Sequence, residues 1–310
     1  MPEFSVVIPV YNKALFLSKT ITSVLKQTFE DFELVIVNDG STDDSEQVIK
    51  KFDDPRIVYL KQENQGVSAA RNKGVLKAKT KYIALLDADD YWEPNYLEEM
   101  DTLTKAHPEE SIFAVSFHIL ERGKFKSPEY SIEDLKQHEV RTVDFFQSSF
   151  IECILTSRST VVTKEAITVA GLYDSKIRSG EDTDVYIRLG LQHKVVFKNT
   201  VLATYVINAG SLSTKKIPFD KRLNPLKYKR EASSNPAVKK YLDLNSYSLA
   251  LLANRIADKK AYHSFRDSIA PENLNSKQQF LLNASPFLLN TIFKLKIFLE
   301  KIGLSLSAYK

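Results

Sequence analysis

The sequence has one cysteine in 310 residues, Cys153, so no intrachain disulfide can form and a thiolate metal site is excluded. A lone cysteine among apolar neighbours reads as core, and so few thiols suit a reducing compartment. Charge of one sign is also scarce. Lys and Arg number 43 against 39 Asp and Glu, and a net charge of +4 makes no electrostatic case for nucleic acid. No group of Lys and Arg interleaved with aromatics provides a stacking platform for bases. Long apolar runs are missing as well: Phe4 to Val10 is too short for a secretory core, has no basic leader, and reads as a strand. The expected location is the cytoplasm. The chain carries Pro9-Val-Tyr-Asn12 after that strand in place of Gly-x-Gly-x-x-Gly, which excludes a dinucleotide-dependent oxidoreductase.

What is present is ordinary globular composition, 43% hydrophobic and 26% charged, with length enough for one large domain or two modest ones. Phe4 to Val10, Phe32 to Val37, Arg56 to Leu60 and Tyr82 to Leu86 are short Val- and Ile-rich runs with helical patterns between them. That alternation predicts parallel strands with crossover helices, here an α/β domain with a mostly parallel mixed sheet flanked by helices. Strands are expected again at Ile112 to Leu120, Ser159 to Thr163, Lys194 to Lys198 and Val201 to Ile207, with a helix over Gly180 to Leu191. The polar stretch Glu121 to Glu139 is expected as a loop or lid. Strand patterns cease beyond Pro218, so the division expected is a domain over residues 1–217 and a helical C-terminal region over 218–310.

Three acids crowd the end of the fourth strand, in Asp87-Ala88-Asp89-Asp90. Carboxylates so close repel by about 3 kcal/mol per pair at 5 Å and an effective dielectric near 20, unless a cation sits among them. A divalent ion is the simplest answer, and hard ions of this kind usually hold a substrate's phosphates. The alternative is that the acids only solvate the strand end or cap the next helix. In an open parallel sheet, ligands bind outside the carboxyl ends of the strands, where Tyr11-Asn12, Asn38-Asp39-Gly40 and the acids all fall.

Asp39 lies before Gly40 at the end of the second strand, where a carboxylate could accept a hydrogen bond from a nucleobase or ribose. Asp43 is expected to cap the following helix, with Glu46 completing a capping box. Arg71, in the first turns of a helix, opposes the helix dipole and so calls for an acidic partner, either Asp39 or Asp87, or a diphosphate. Glu181, Asp182 and Asp184 open another helix, where the dipole alone would favour them; alternatively one of them is a base for an attacking hydroxyl.

Val6-Val-Ile-Pro9-Val-Tyr11-Asn12, Asn38-Asp-Gly-Ser-Thr-Asp43, Ala70-Arg-Asn-Lys-Gly74, Asp87-Ala-Asp89-Asp90 and Gly180-Glu-Asp182 occur in that order. Together they resemble the family-2 glycosyltransferases of GT-A fold over about Phe4 to Ser213. The resemblance implies an inverting hexosyltransferase that moves a sugar from a nucleotide-diphosphate sugar, with UDP the expected nucleotide. The acceptor implied is a hydroxyl of a glycan or lipid-linked glycan, in surface polysaccharide assembly. It places Pro9, Tyr11, Asn12, Asp39, Arg71, Asp87, Ala88 and Asp89 at the nucleotide sugar, Asp182 as catalytic base with Glu181 second, and Mn2+ or Mg2+ as cofactor. Asp89, Asp87 and Asn208 are the implied metal ligands; many relatives carry His where this chain has Asn208, and an amide binds metal less strongly than imidazole.

A haloacid-dehalogenase-type phosphotransferase also uses Asp-x-Asp, but on its first strand and followed by Thr or Val, where this chain has Tyr91 on a later strand. A protein that keeps the sugar-nucleotide site without turnover is a further alternative. At the C-terminus, Leu288, Ile292, Leu295, Leu299 and Ile302 form an apolar stripe interrupted too often by Lys294, Lys296, Glu300 and Lys301 to span a bilayer. Residues 286–304 could lie in a membrane interface, pack on the catalytic domain, or form a homodimer contact.

Overall fold

The computed structural model describes residues 2–207, 217–301 and 308–309. The chain forms two compact units, Met1–Leu223 and Asn224–Lys310. In the first, β1 (Phe4–Val10), α1 (Ala14–Leu25), β2 (Phe32–Asp39), α2 (Ser45–Ile49), β3 (Ile57–Gln62), α3 (Val67–Lys77) and β4 (Tyr82–Leu85) alternate as the periodicity predicts. Next come β5 (Tyr91–Trp92), α4 (Tyr96–Ala106), β6 (Ile112–Glu121), β7 (Lys124–Lys126), β8 (Val140–Val143), α5 (Phe145–Ser148), β9 (Thr160–Thr163), α6 (Lys164–Val169), α7 (Glu181–Gly190) and β10 (Val195–Ile207).

Among the described residues the strands make one mixed sheet in the order β3-β2-β1-β4-β9-β6-β10-β5, with β7 on β6 and β8 on β10. β1 pairs in parallel with β2 and β4, and β2 with β3, so the carboxyl ends of these four strands share one edge. Both faces of β1 are covered, which is why it reads as a continuous apolar run. Val6, Ile8 and Val10 pack with Leu17, Ile21 and Val24 of α1 and Leu97 and Met100 of α4 in one core, while α3 packs on β1 and β2.

Two expectations change in detail. Val195–Ile207 is one strand, β10, because register shifts at Lys198/Val201 and Val201/Ala203 absorb the polar interruption without breaking the pairing with β6. The polar stretch after Glu121 includes a hairpin: Arg122 and Gly123 both take positive φ, 52° and 76°, and turn the chain so that Lys124 pairs with Glu121.

The division between the units falls beyond 217. Arg178 donates its N–H to the Lys221 carbonyl at 2.7 Å, and Leu223 donates to the Ser179 carbonyl at 2.9 Å, which ties 221–223 to the first unit. The second unit contains α8 (Lys229–Ser234), α9 (Pro236–Arg255), α10 (Lys259–Arg266), α11 (Ser276–Asn283) and α12 (Pro286–Lys301). In α12 the anchor is Leu289, 0% exposed, with Phe293 under the Arg255 guanidinium, while Phe287 and Phe298 face outward at 83% and 60%. The predicted stripe is therefore partly open: Leu288 and Leu295 are exposed. Among the described residues no helix is long and apolar enough to cross a membrane.

Gly74 marks the tightest helix-to-sheet approach, since a methyl group there would collide with Val7 Cγ1. Gly74→Ala, favourable in an exposed helix, is expected to lower stability here by about 1–3 kcal/mol through overpacking. A downward shift of the urea midpoint at constant slope is the expected reading.

Candidate active site

The loops after β1, β2 and β4 are bound to one another before any ligand is considered. Asn12, at φ 52°, accepts from the Thr42 N–H at 2.8 Å through Oδ1 and donates from Nδ2 to Thr42 Oγ1 at 3.2 Å. Asp43 accepts from the Ala14 N–H at 3.1 Å and the Ser45 N–H at 3.0 Å, so it joins the starts of α1 and α2. The expected capping box does not form: Asp44 is the N-cap of α2, and Glu46 pairs with Lys50 and Lys61 at 2.8 and 2.6 Å. Two nearby cations are stronger partners for Glu46 than a backbone N–H.

Asp39 is 2% exposed and accepts from Gln65 N–H, Gly66 N–H and Gln62 Nε2 at 2.9, 2.9 and 2.7 Å. It thereby fixes the start of α3, and with about four lone-pair positions to a carboxylate, roughly one acceptor position remains for a ligand. Pro9 is buried within β1, Ala88 is 2% exposed, and Tyr11 is 42% exposed at the edge of the crevice.

Arg71 is the junction of the crevice. Its guanidinium, 3% exposed, donates to Asp87 Oδ1 at 2.8 Å and Asp182 Oδ1 at 2.8 Å, and lies 3.4 Å from Glu181 Oε1. The ring of Tyr173 lies beneath it, 5.1 Å away. Of the partners expected, Asp87 is found and Asp39 is not, because Asp39 is engaged by the backbone before α3. The start of α7 is thus brought against the end of β4, so Asp182, Glu181 and Asp87 share one locus.

A second guanidinium completes the arrangement. Arg158 pairs with buried Asp90 at 2.5 Å, lies 3.9 Å from Asp87, and is flanked by the rings of Tyr205 and Phe117. Ser157 donates to Asp87 Oδ2 at 2.7 Å, and Trp92 donates its indole N–H to the Arg158 carbonyl at 2.7 Å, which fixes the loop. Lys13 forms an ion pair with Asp89. Repulsion among the three crowded acids is met, then, by the chain's own cations.

Protonation follows from these contacts. Burial pushes the Asp87 carboxyl up, but Arg71, Arg158 and the Ser157 hydroxyl outweigh it and hold Asp87 at about 2. Asp90 goes the other way: burial dominates, Arg158 offsets it only in part, and the carboxyl is raised to about 7. Asp182 is likewise raised to about 7 by burial, with Glu181 and Asp87 adding to the rise and Arg71 opposing it. Its side chain keeps 32% of its surface exposed, so a hydroxyl can reach it. A carboxylate that exchanges its proton near neutrality at an open crevice has the properties of a general base. A separate open groove of about 570 Å³, lined by Ser18, Lys19, Tyr91 and Trp92, includes none of these acids.

Residues 5–157 match the family model described as glycosyl transferase family 2. The matched segment, just under half of the 310 residues, is of that family. An uncharacterized glycosyltransferase of Rickettsia bellii is 36% identical over 195 residues, 60% of this chain but 26% of that protein. One from Rickettsia prowazekii, RP339, is 25% identical over 92% of this chain and 94% of its own length. The hyaluronan synthase of Pasteurella multocida is 27% identical over 225 residues, 72% of this chain and 22% of that protein. The chain thus spans about a quarter of the first and third of these relatives. Among solved structures, S. aureus TarS 1–349 in complex with UDP-GlcNAc superposes with a TM-score of 0.72 at 15% identity, over 94% of this chain and 92% of that one. That likeness shows the fold, GT-A.

The fit of a divalent ion can be judged from the donor atoms. Both oxygens of Asp87 are engaged, by Arg71 and Ser157. Asp89, 12% exposed, offers hard oxygen ligands at the crevice, and Asn208 lies outside the described residues. Among the described residues no three His, Cys, Asp or Glu gather into a cage. The residues fit an ion held by Asp89 jointly with substrate phosphates, the usual manner for Mg2+.

Sequence reasoning missed Lys13, Ser157, Arg158 and Tyr173. Lys13 had a signal, a cation directly after Asn12 at a strand end facing three acids. The others stand far along the chain from their partners, in loops whose course no periodicity reports.

Arg158→Leu leaves Asp90, 1% exposed, without its cation. Breaking a buried pair in this way is expected to cost about 3–5 kcal/mol. Because Asp90 is raised in the folded state, its contribution is present at low pH and lost as pH rises toward about 7. Without Arg158 the rise is larger and the loss continues above 7. Urea unfolding should therefore show a greater deficit at pH 8.5 than at pH 6.

Proposed function

We propose that this protein moves a sugar, with inversion, from a UDP-sugar to a hydroxyl of a glycan or lipid-linked glycan acceptor. The observation that carries the reading is Asp182, raised to about 7 and held by Arg71 on the same guanidinium as Asp87. The acceptor hydroxyl gives its proton to the Asp182 carboxylate, and its oxygen forms a bond to the anomeric carbon. The bond from that carbon to the diphosphate oxygen breaks with its electron pair, and the nucleoside diphosphate leaves on the opposite face. Arg71 keeps base and leaving-group side in fixed relation, and Glu181 beside it keeps Asp182 basic enough to take the proton. A divalent ion at Asp89, Mn2+ or Mg2+, would supply countercharge to the departing diphosphate.

Support for a UDP-linked donor comes from the TarS structures solved with UDP-GlcNAc and with UDP. Support for a glycan acceptor comes from the names of two relatives, the hyaluronan synthase of Pasteurella multocida and the chondroitin synthase of Escherichia coli. A lipid-borne form of that acceptor is favoured by α12, where Phe287, Leu295 and Phe298 stand exposed beside Lys294, a surface suited to an anionic bilayer.

Asp182→Asn should lower transfer, or slow UDP-sugar hydrolysis, by about 10²–10⁴-fold while UDP binding by calorimetry stays intact. Retained turnover in this variant would refute the assigned base. In the wild type, kcat/KM should rise with pH and level off above about 7, as Asp182 loses its proton.

A further inference from the structure

We propose that Lys13 is a movable cation of the donor site. In the free protein its ammonium is held on Asp89, and it passes to the donor's diphosphate when a divalent ion takes that carboxylate. The inference rests on the donor-site reading of Asp89 given above.

Among the described residues three cations answer the acids at the strand ends, and they are not equivalent. The Arg71 guanidinium is 3% exposed and bridges Asp87, Asp182 and Glu181. That of Arg158 bonds Asp90 and is enclosed by Tyr205 and Phe117. Arg71 cannot leave without stranding three carboxylates, nor Arg158 without stranding buried Asp90. Lys13 is different: its side chain is 20% exposed and its ammonium contacts Asp89, with the Phe16 ring 6.0 Å away.

The backbone beneath it is fixed. The Lys13 N–H donates to Ser45 Oγ at 2.8 Å, and its carbonyl accepts from the Phe16 and Leu17 N–H groups at 3.0 Å each. Only the flexible four-carbon stem is available to swing, and the ammonium at its end is a compact point charge suited to phosphate oxygens. A divalent ion and an ammonium repel if both sit on one carboxylate, so entry of the ion at Asp89 obliges Lys13 to turn away. An incoming diphosphate gives the displaced charge a new partner beside the same strand ends. Ion and nucleotide then assist each other, and by linkage the coupling is reciprocal.

The test is Mn2+ titration of the full chain by electron paramagnetic resonance, with and without UDP, alongside UDP calorimetry at saturating Mn2+. In Lys13→Met, Mn2+ should bind the free protein at least about 5-fold more tightly, and UDP with Mn2+ at least about 10-fold more weakly. Lys13→Arg, which keeps the charge, should recover UDP affinity in part. Thermal melting of each variant reports whether the fold is kept. If Asp89→Ala abolishes Mn2+-dependent UDP binding while Lys13→Met changes neither affinity, the inference fails and the donor site stands. If the wild type takes up no UDP with Mn2+, the donor-site reading fails and this inference with it.

Discussion

One buried guanidinium holds the candidate site together. Arg71 comes from α3, meets the end of β4 through Asp87 and meets the start of α7 through Asp182 and Glu181. These elements are far apart along the chain, and no hydrogen bond of the sheet would bring α7 to the mouth of β4. Burial of such a charge costs several kcal/mol, and a hydrophobic replacement of similar shape is often no less stable. Stability is therefore a poor account of Arg71. Position is a better one: a planar fork with several donors can fix two carboxylates at set distances, where a lysine ammonium could not.

The topology explains why one residue suffices. Because β1, β2 and β4 run in parallel as neighbours, Asn12, Asp39 and Asp87 leave the sheet at the same edge. Asn12 and Asp43 bind the first two loops to each other, and Asp39 fastens the residues before α3. Gly40 makes this possible, with φ 72° and with the Asn64 N–H so near that a Cβ would lie 2.8 Å from it. Asp39 and Asn12 thus hold the walls of the crevice, and Arg71 sets what faces it.

Legibility in the sequence followed the range of the interactions. β1, β2, β4 and α1 were readable because their apolar periodicity is local and their burial nearly complete. The acids at 87–90 stood out because the strand before them ends so abruptly. What did not show was which cation each acid would meet. Arg158 reaches Asp90 across 68 residues from a loop without periodicity, held there by Trp92. Nor could composition say that the carboxylate of Asp39 would be engaged by the Gln65 and Gly66 N–H groups and the Gln62 side chain. The missed hairpin at Arg122-Gly123 has a similar cause: an arginine at positive φ is uncommon, so the turn left no Asn-Gly signature.

Charge at the mouth of the sheet bears on what can enter it. Among the described residues, five carboxylates, of Asp87, Asp89, Asp90, Glu181 and Asp182, face three cations, Lys13, Arg71 and Arg158. With all of these groups ionised they sum to two negative charges, and the rise of Asp90 and Asp182 to about 7, driven chiefly by burial, reduces that excess. A diphosphate brings more negative charge to the same place. Its approach is unfavourable unless countercharge comes with it, and a divalent ion matches the deficit. Protons on Asp90 and Asp182 could lower the repulsion too, but a protonated Asp182 could not serve as the proposed base. On the proposed mechanism, countercharge from an ion would keep Asp182 ionised while a diphosphate is bound, and protonation of the carboxylates would not.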